Sequence, residues 1–149
     1  MFWTISLIKL KIFISSDHAG FSLKDYIFKS LKKKNYNVEN LGPFNDKSVD
    51  YPIYAKKLAI NVAKNKTNFG ILVCGSGTGM AMAANKVKNI RAAVCYNMKN
   101  TKLSRLHNNA NIITVGSRLT SKNLAFKLVS IFLKTKFEGG RHLRRIKKI

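Results

Sequence analysis

The stretch Ile71-Leu72-Val73-Cys74-Gly75-Ser76-Gly77-Thr78-Gly79 constrains the fold more than any other, because an apolar run ends in a thiol and three alternating glycines. A run of this length reads as a buried strand, and Met80-Ala81-Met82-Ala83-Ala84-Asn85-Lys86 reads as the start of a helix. The glycines therefore occupy a strand-to-helix turn. Glycine there lets the backbone approach a ligand, and the amides opening the helix face outward with the positive end of the helix dipole behind them. Such a loop stabilises an anion, either a phosphate or an oxyanion that develops during a reaction. A thiol at a helix N-terminus is favoured as the thiolate, the form that acts as base or nucleophile. The plain alternatives are a tight turn and a small buried hydrophobe. The spacing Gly-x-Gly-x-Gly is not the dinucleotide fingerprint, and no Gly-Lys-Ser/Thr follows, which excludes a P-loop.

Around this turn, short apolar runs alternate with longer amphipathic ones, the pattern of a parallel sheet with helices on its faces. The sequence predicts five strands over 11–15, 36–39, 69–74, 91–95 and 111–115, and helices over 21–33, 51–64, 78–86, 98–106 and 121–136. The expected fold is α/β, a Rossmann-like three-layer α/β/α sandwich on a five-stranded parallel sheet. In the last helix Leu124, Leu128, Ile131 and Phe132 form one stripe expected to pack on the sheet. Asp50 before Tyr51-Pro52 reads as an N-cap with proline in the first turn. The expected organisation is an N-terminal extension over 1–9 and a single domain over 10–149 that ends in a basic segment.

The chain has 149 residues, enough for one compact domain. Its two cysteines, Cys74 and Cys95, match neither a zinc pattern nor Cys-x-x-Cys and are expected as free thiols in a reducing compartment. Cys95 reads as core, and without a resolving cysteine at short spacing a thiol redox protein is disfavoured. The apolar start, Met1-Phe2-Trp3-Thr4-Ile5-Ser6-Leu7-Ile8, has no basic residue before it and is soon interrupted by Lys9 and Lys11, so it reads neither as a signal peptide nor as a membrane span. A cytoplasmic protein without membrane attachment is expected.

The formal charge of +22, from 28 basic and 6 acidic residues, suggests a nucleic-acid binder at first sight. However, Lys24, Lys29, Lys32, Lys33, Lys34, Lys56, Lys57, Lys64 and Lys66 fall on the polar faces or ends of the predicted helices. No nucleic-acid-binding motif accompanies them, and charge alone supports only non-specific affinity. No specific nucleic-acid partner is expected.

In open parallel sheets ligands bind outside the carboxyl ends of the strands. That rule selects Ser15-Ser16-Asp17-His18-Ala19-Gly20, which follows the first strand and brings a carboxylate and an imidazole to the edge that carries Cys74. Asp17, one of six acids, is a functional candidate, with a capping role as its plain alternative. His107 follows Arg105-Leu106, and His142 follows Arg141. The three histidines lack metal-ligand spacing and acids are scarce, so no metal is expected. The segment 138–149 is either a solvated tail or an anion clamp; if it is helical, Arg141 and Arg145 face one way as a fork for phosphate.

Taken together, Ser16-Asp17-His18-Ala19-Gly20, Asp50-Tyr51-Pro52, Cys74 to Gly79, Ala84-Asn85-Lys86, Arg105-Leu106-His107-Asn108, Gly116-Ser117-Arg118 and Glu138-Gly139-Gly140-Arg141-His142 resemble the type B ribose-5-phosphate isomerase family, which includes the galactose-6-phosphate isomerase subunits. The resemblance runs from Lys11 to about Arg145. It implies a cofactor-free aldose-ketose isomerase of the pentose phosphate pathway, most simply acting on ribose 5-phosphate and ribulose 5-phosphate. Allose or galactose 6-phosphate is the six-carbon alternative, and a silent binding protein on the same fold is the alternative from another class. It also implies a homodimer or dimer of dimers in which sites are shared between subunits.

By the same resemblance, Cys74 is the base that moves a proton between carbons 1 and 2, and Gly75, Gly77, Thr78 and Gly79 belong to the anion hole for the enediolate. His107 opens the furanose ring with help from the Ser76 hydroxyl. Asp17 and His18 contact sugar hydroxyls and phosphate, Asp17 also moving a proton between oxygens, and Tyr51 lines the pocket. Asn108, Arg118, Arg141 and Arg145 are polar and basic groups around the substrate. Ser76 stands where threonine is frequent in the cysteine-bearing members of the family. Met80 follows Gly79 where the branch with a carboxylate base places that carboxylate, so the thiol branch is favoured.

Overall fold

The structure is a computed structural model and describes residues 10–149; the proposed extension over 1–9 lies outside the described residues. Five strands are present among the described residues: β1 (Lys11–Ser16), β2 (Val38–Asn40), β3 (Asn68–Cys74), β4 (Ala92–Val94) and β5 (Ile112–Gly116). Six helices accompany them among the described residues: α1 (Phe21–Lys33), α2 (Tyr51–Ala63), α3 (Thr78–Ala84), α4 (Met98–Leu106), α5 (Lys122–Lys134) and α6 (Arg141–Ile146). No described helix is long and apolar enough to cross a membrane.

All strand pairs are parallel, in the order β2-β1-β3-β5-β4. Side chains alternate between two cores, as a sheet buried on both faces requires. Ile12, Ile14, Ile71, Val73, Ile113 and Val115 pack with Leu23, Ile27 and Leu31 of α1 and Leu128, Val129 and Phe132 of α5. Phe13, Leu72, Cys74 and Ile112 pack on the other face with Ala55, Leu58, Ala59 and Val62 of α2 and Met80 and Ala84 of α3. This is the three-layer α/β/α sandwich expected from the sequence.

Right-handed crossovers explain the strand order. From β1 the chain turns through α1 to the outer strand β2. From β3 it turns the other way through α3 to β4. The carboxyl ends of β1 and β3 are therefore neighbours whose following helices lie on opposite faces of the sheet, which is a topological switch point. The loop after β1 and the glycine loop after β3 both open there.

Several expectations need correction. Strand β2 starts at Val38 rather than Tyr36, because Asn35 takes a left-handed φ of 64° and the Tyr36 amide still closes α1 on the Leu31 carbonyl. Helix α3 ends at Ala84 rather than Lys86, where the Asn85 side chain instead pairs with both backbone groups of Ala92. The buried stripe of α5 is Ala125, Leu128, Val129 and Phe132, with Leu124 and Ile131 half-buried at its margins. Asp50 is the N-cap of α2 with proline in the first turn, but its side chain makes no capping bond.

Lys24 is not on a polar face. It is 1% exposed, donates to the Pro43 carbonyl (2.6 Å) and Asn40 Oδ1 (3.2 Å), and lies over the Phe21 and Phe44 rings. Burial pushes its pKa down. Cys95 is core, as expected, and burial raises its thiol pKa. Both cysteines are free thiols.

Candidate active site

The glycine loop is built by close approach. Gly77, the residue before α3, has a φ of +79°, where a side chain would be strained. This conformation turns its amide back onto Cys74, and the N–H donates to Sγ across 3.1 Å. Thr114 Oγ1 donates to the Gly77 carbonyl (2.8 Å) and fixes the turn to β5. A Cβ on Gly116 would lie within 2.8 Å of Ser76 backbone atoms, so β5 must present glycine where the loop crosses it. The amide of Thr78 reaches Ser76 Oγ at 3.3 Å. The remaining first-turn amides of α3 have no acceptor within the helix, as at any helix N-terminus. Cys74 is 5% exposed, so its sulfur meets these dipoles largely out of water.

Four further sequence candidates gather at this edge. The Asp17 amide bonds the Val73 carbonyl (3.1 Å), which seats Asp17 beside the residue before Cys74. Its carboxylate is buried and accepts from the Gly20 amide at 2.9 Å. Asp17 thus closes the turn into α1, although the N-cap itself is Gly20. His18 is exposed, and its Nδ1 accepts from the Val49 amide (3.2 Å). In the neutral ring that leaves Nε2 as the donor, suited to a sugar hydroxyl or phosphate oxygen.

Tyr51 leans over the start of α3: a Cβ on Gly79 would meet its Cε2 and Cζ at 2.7 Å. The Arg118 amide bonds the Gly75 carbonyl (3.0 Å), and its guanidinium lies so close over Gly75 that a Cβ there would meet Nη1 at 2.8 Å. Asp17, His18, Tyr51, Cys74, Gly75, Ser76, Gly77, Thr78, Gly79 and Arg118 therefore share one edge of the sheet. It combines a thiol, a carboxylate, an imidazole, the backbone amides of the glycine loop and a cation. That set can take a proton from carbon while binding the oxygen that becomes negative.

His107, Asn108, Arg141 and Arg145 are not brought to this edge. Helix α4 leaves the carboxyl end of β4 and returns to the amino end of β5, so His107, its C-cap, lies at the amino edge of the sheet. Arg105 marks the distance. Its guanidinium lies over the Phe69 ring, 4.8 Å from the centroid, and Phe69 is five residues before Cys74 on β3, about 17 Å at the rise of a parallel strand. Arg105 also donates to the Thr135 carbonyl (3.0 Å) and the Ala110 carbonyl (2.6 Å), which binds the tail to the end of α4.

The tail is helical, as the fork required, and Arg141 and Arg145 lie one turn apart and exposed on α6. Beside them the fold assembles a cluster that sequence spacing did not reveal. The His107 and His142 rings stack with centroids 4.3 Å apart and planes 15° from parallel. Glu138 Oε2 lies 3.9 Å from His107 Nε2, and Oε1 lies 4.0 Å from His142 Nε2.

One nitrogen of each ring and a carboxylate oxygen all fall within 4.8 Å of one another. The arrangement still does not suit one metal ion. Ring-nitrogen lone pairs lie in the ring planes, and two nearly parallel stacked planes do not converge on a point about 2 Å from both nitrogens. Burial and then His107 and Arg141 push the His142 pKa down, with Glu138 opposing. The signal for Glu138 was available: it is one of six acids and opens the most basic segment of the chain.

Comparison with known proteins gives a consistent picture. The sequence model of the Ribose/Galactose Isomerase family matches residues 12–149. A probable ribose-5-phosphate isomerase B of Mycoplasma genitalium is 49% identical over 140 residues, covering 93% of this chain and 92% of that protein. Ribose-5-phosphate isomerase B of Escherichia coli is 40% identical over 139 residues, covering 93% of each. Among solved structures, the Mycoplasma genitalium enzyme with bound ribulose-5-phosphate superposes with a TM-score of 0.90 at 48% identity, covering 93% of each chain. A ribose 5-phosphate isomerase from Thermotoga maritima gives 0.90 at 49% identity, covering 93% of this chain and 95% of that one.

Proposed function

Because this chain belongs to the Ribose/Galactose Isomerase family and is a sugar-phosphate isomerase, we propose that it interconverts ribose 5-phosphate and ribulose 5-phosphate through an enediolate, with Cys74 as the base. The observation that carries this reading is the Gly77 amide on Cys74 Sγ at the switch-point crevice. A carbon next to a carbonyl is a weak acid, and its deprotonation needs a placed base together with stabilisation of the new oxyanion.

In the aldose-to-ketose direction the Cys74 thiolate takes the proton from carbon 2 of the opened sugar. The carbonyl oxygen on carbon 1 becomes the enediolate oxyanion and rests on the loop amides from Gly75 to Gly79. Asp17 moves a proton between the two oxygens, and the thiol returns its proton to carbon 1. His18 and Tyr51 line the sugar, and Arg118 supplies charge over Gly75. No step calls for a metal or an organic cofactor, and a cytoplasmic setting suits two free thiols.

Ring opening needs His107, with Ser76 assisting, yet His107 and Cys74 occupy opposite edges of one chain. We therefore propose a homodimer, or a dimer of dimers, in which each site joins the Cys74 half of one chain to the His107 half of another. A two-fold axis gives both sites at once. Asn108, Arg141 and Arg145 enter with His107 and hold the phosphate, and this remote binding orients the reacting carbons.

The test is conversion of ribose 5-phosphate by the purified protein with and without chelator, beside Cys74→Ala. Turnover that survives chelator and drops by about 100-fold or more in the variant supports the thiol base. Turnover only with six-carbon aldose phosphates would reassign the substrate, and no turnover with either would sink the reading.

A further inference from the structure

We infer that His142, together with Glu138, is a positioning residue for His107: its ring fixes the plane of the His107 imidazole, and the shared carboxylate selects which ring nitrogen carries the proton. The inference rests on the reading of His107 as the ring-opening group.

The geometry is specific. His142 is 6% exposed, its ring covers that of His107 at 4.3 Å, and its Nε2 is buried without a hydrogen-bond partner. A buried, unpartnered ring nitrogen is costly and calls for a reason. Glu138 supplies one. Its Oε2 lies 3.9 Å from His107 Nε2 and its Oε1 lies 4.0 Å from His142 Nε2, so an approach of about 1 Å by this exposed side chain closes a hydrogen bond to either ring.

The backbone holds these three groups in register. The Glu138 amide donates to the Leu106 carbonyl (3.1 Å), which ties the tail to the last turn of α4. Gly139 and Gly140, with φ of +76° and +58°, then reverse the chain so that α6 delivers His142 against His107. A Cβ at either glycine would meet nothing within 4 Å, so glycine is required there for the backbone reversal and not for space.

A carboxylate accepting from Nε2–H leaves Nδ1 of the same ring as the acceptor, which is how a second group sets a catalytic tautomer. The charged and titratable groups facing His142 are His107 from α4, Glu138 from the connector, and Arg141 and Arg145 from α6. Burial first, and then His107 and Arg141, hold the His142 pKa below the ordinary imidazole value, so that its ring stacks on His107 in the neutral form.

Two readouts separate positioning from mere packing. In steady-state kinetics, His142→Ala is expected to lower kcat about 10- to 100-fold while KM moves less than about threefold, and His142→Phe, a ring without nitrogens, recovers most of the loss. In ring-nitrogen NMR of the substrate-free protein, His107 is expected in one tautomer in the wild type and in a mixture in Glu138→Gln. A wild-type kcat in His142→Ala, or an unchanged His107 ring spectrum in both His142→Ala and Glu138→Gln, overturns the inference. If the backbone spectrum shows that His142→Ala does not fold, Glu138→Gln decides alone: unchanged tautomer and unchanged kcat overturn the inference. The ring spectra need no turnover, so an inactive wild-type protein would reject the isomerase reading and still leave the positioning tested.

Discussion

The Gly77 amide donates to Cys74 Sγ across 3.1 Å, and it can do so only because Gly77 sits at a φ of +79°. One backbone angle thus links the loop's shape to its chemistry. The same residue passes its carbonyl to Thr114 Oγ1, so both of its polar groups are committed to holding the turn over β5.

Gly77→Ala is therefore expected to cost about 1–2 kcal/mol of stability for the left-handed conformation alone. Its Cβ would also stand 3.1 Å from the Val115 carbonyl carbon. Because the amide must move off the sulfur to relieve this, kcat falls further than stability explains. Urea unfolding measured beside kcat separates the two; a variant with lost stability but wild-type kcat would show that this amide does not matter to the reaction.

Gly75→Ala probes the opposite wall. Its Cβ would meet Arg118 Nη1 at 2.8 Å, the far end of a flexible side chain, so the fold yields cheaply and the guanidinium shifts. The expected outcome is an unfolding midpoint close to wild type with KM raised about tenfold, the scale of one charge-assisted hydrogen bond. Arg118→Ala should give a similar KM, and the double variant should add little to either. Additive losses would mean that Arg118 is not what Gly75 protects.

Much of this was legible in the sequence. The five strands and the glycine turn were visible because parallel strands buried on both faces write continuous apolar runs, as in Ile71-Leu72-Val73. Asp17 and Cys74 lie at one edge because neighbouring parallel strands end together. The separation of the candidate residues onto two edges of the sheet was not legible. It depends on the direction in which α4 returns, which carries His107 to the far edge, and on β4 lying outside β5.

Lys24 departs from its expected solvated place for a related reason. Its position on α1 looks solvent-facing until the loop through Pro43 folds over it. The contact of His142 with His107 needs the reversal at Gly139 and Gly140, which no local periodicity encodes.

Acid stability follows from His142. Its pKa lies below the ordinary 6.5, because of burial first and then His107 and Arg141. Between the folded value and 6.5 the unfolded chain binds more protons than the folded one, so stability rises with pH across that window and is lost as pH falls through it. Urea midpoints measured from neutral pH downward should drop more steeply in the wild type than in His142→Gln, where this contribution is absent. Parallel curves would contradict it.

The proposed active sites are built from two chains, and subunit mixing tests this most directly. Cys74→Ala and His107→Ala are each expected to be nearly inactive alone. In a mixed dimer one of the two sites combines an intact Cys74 from one chain with an intact His107 from the other, while the second site carries both defects. Equal mixing with random reassociation should restore about one quarter of wild-type activity. No recovery after verified subunit exchange would mean that Cys74 and His107 do not meet across an interface, and the shared-site account would fall.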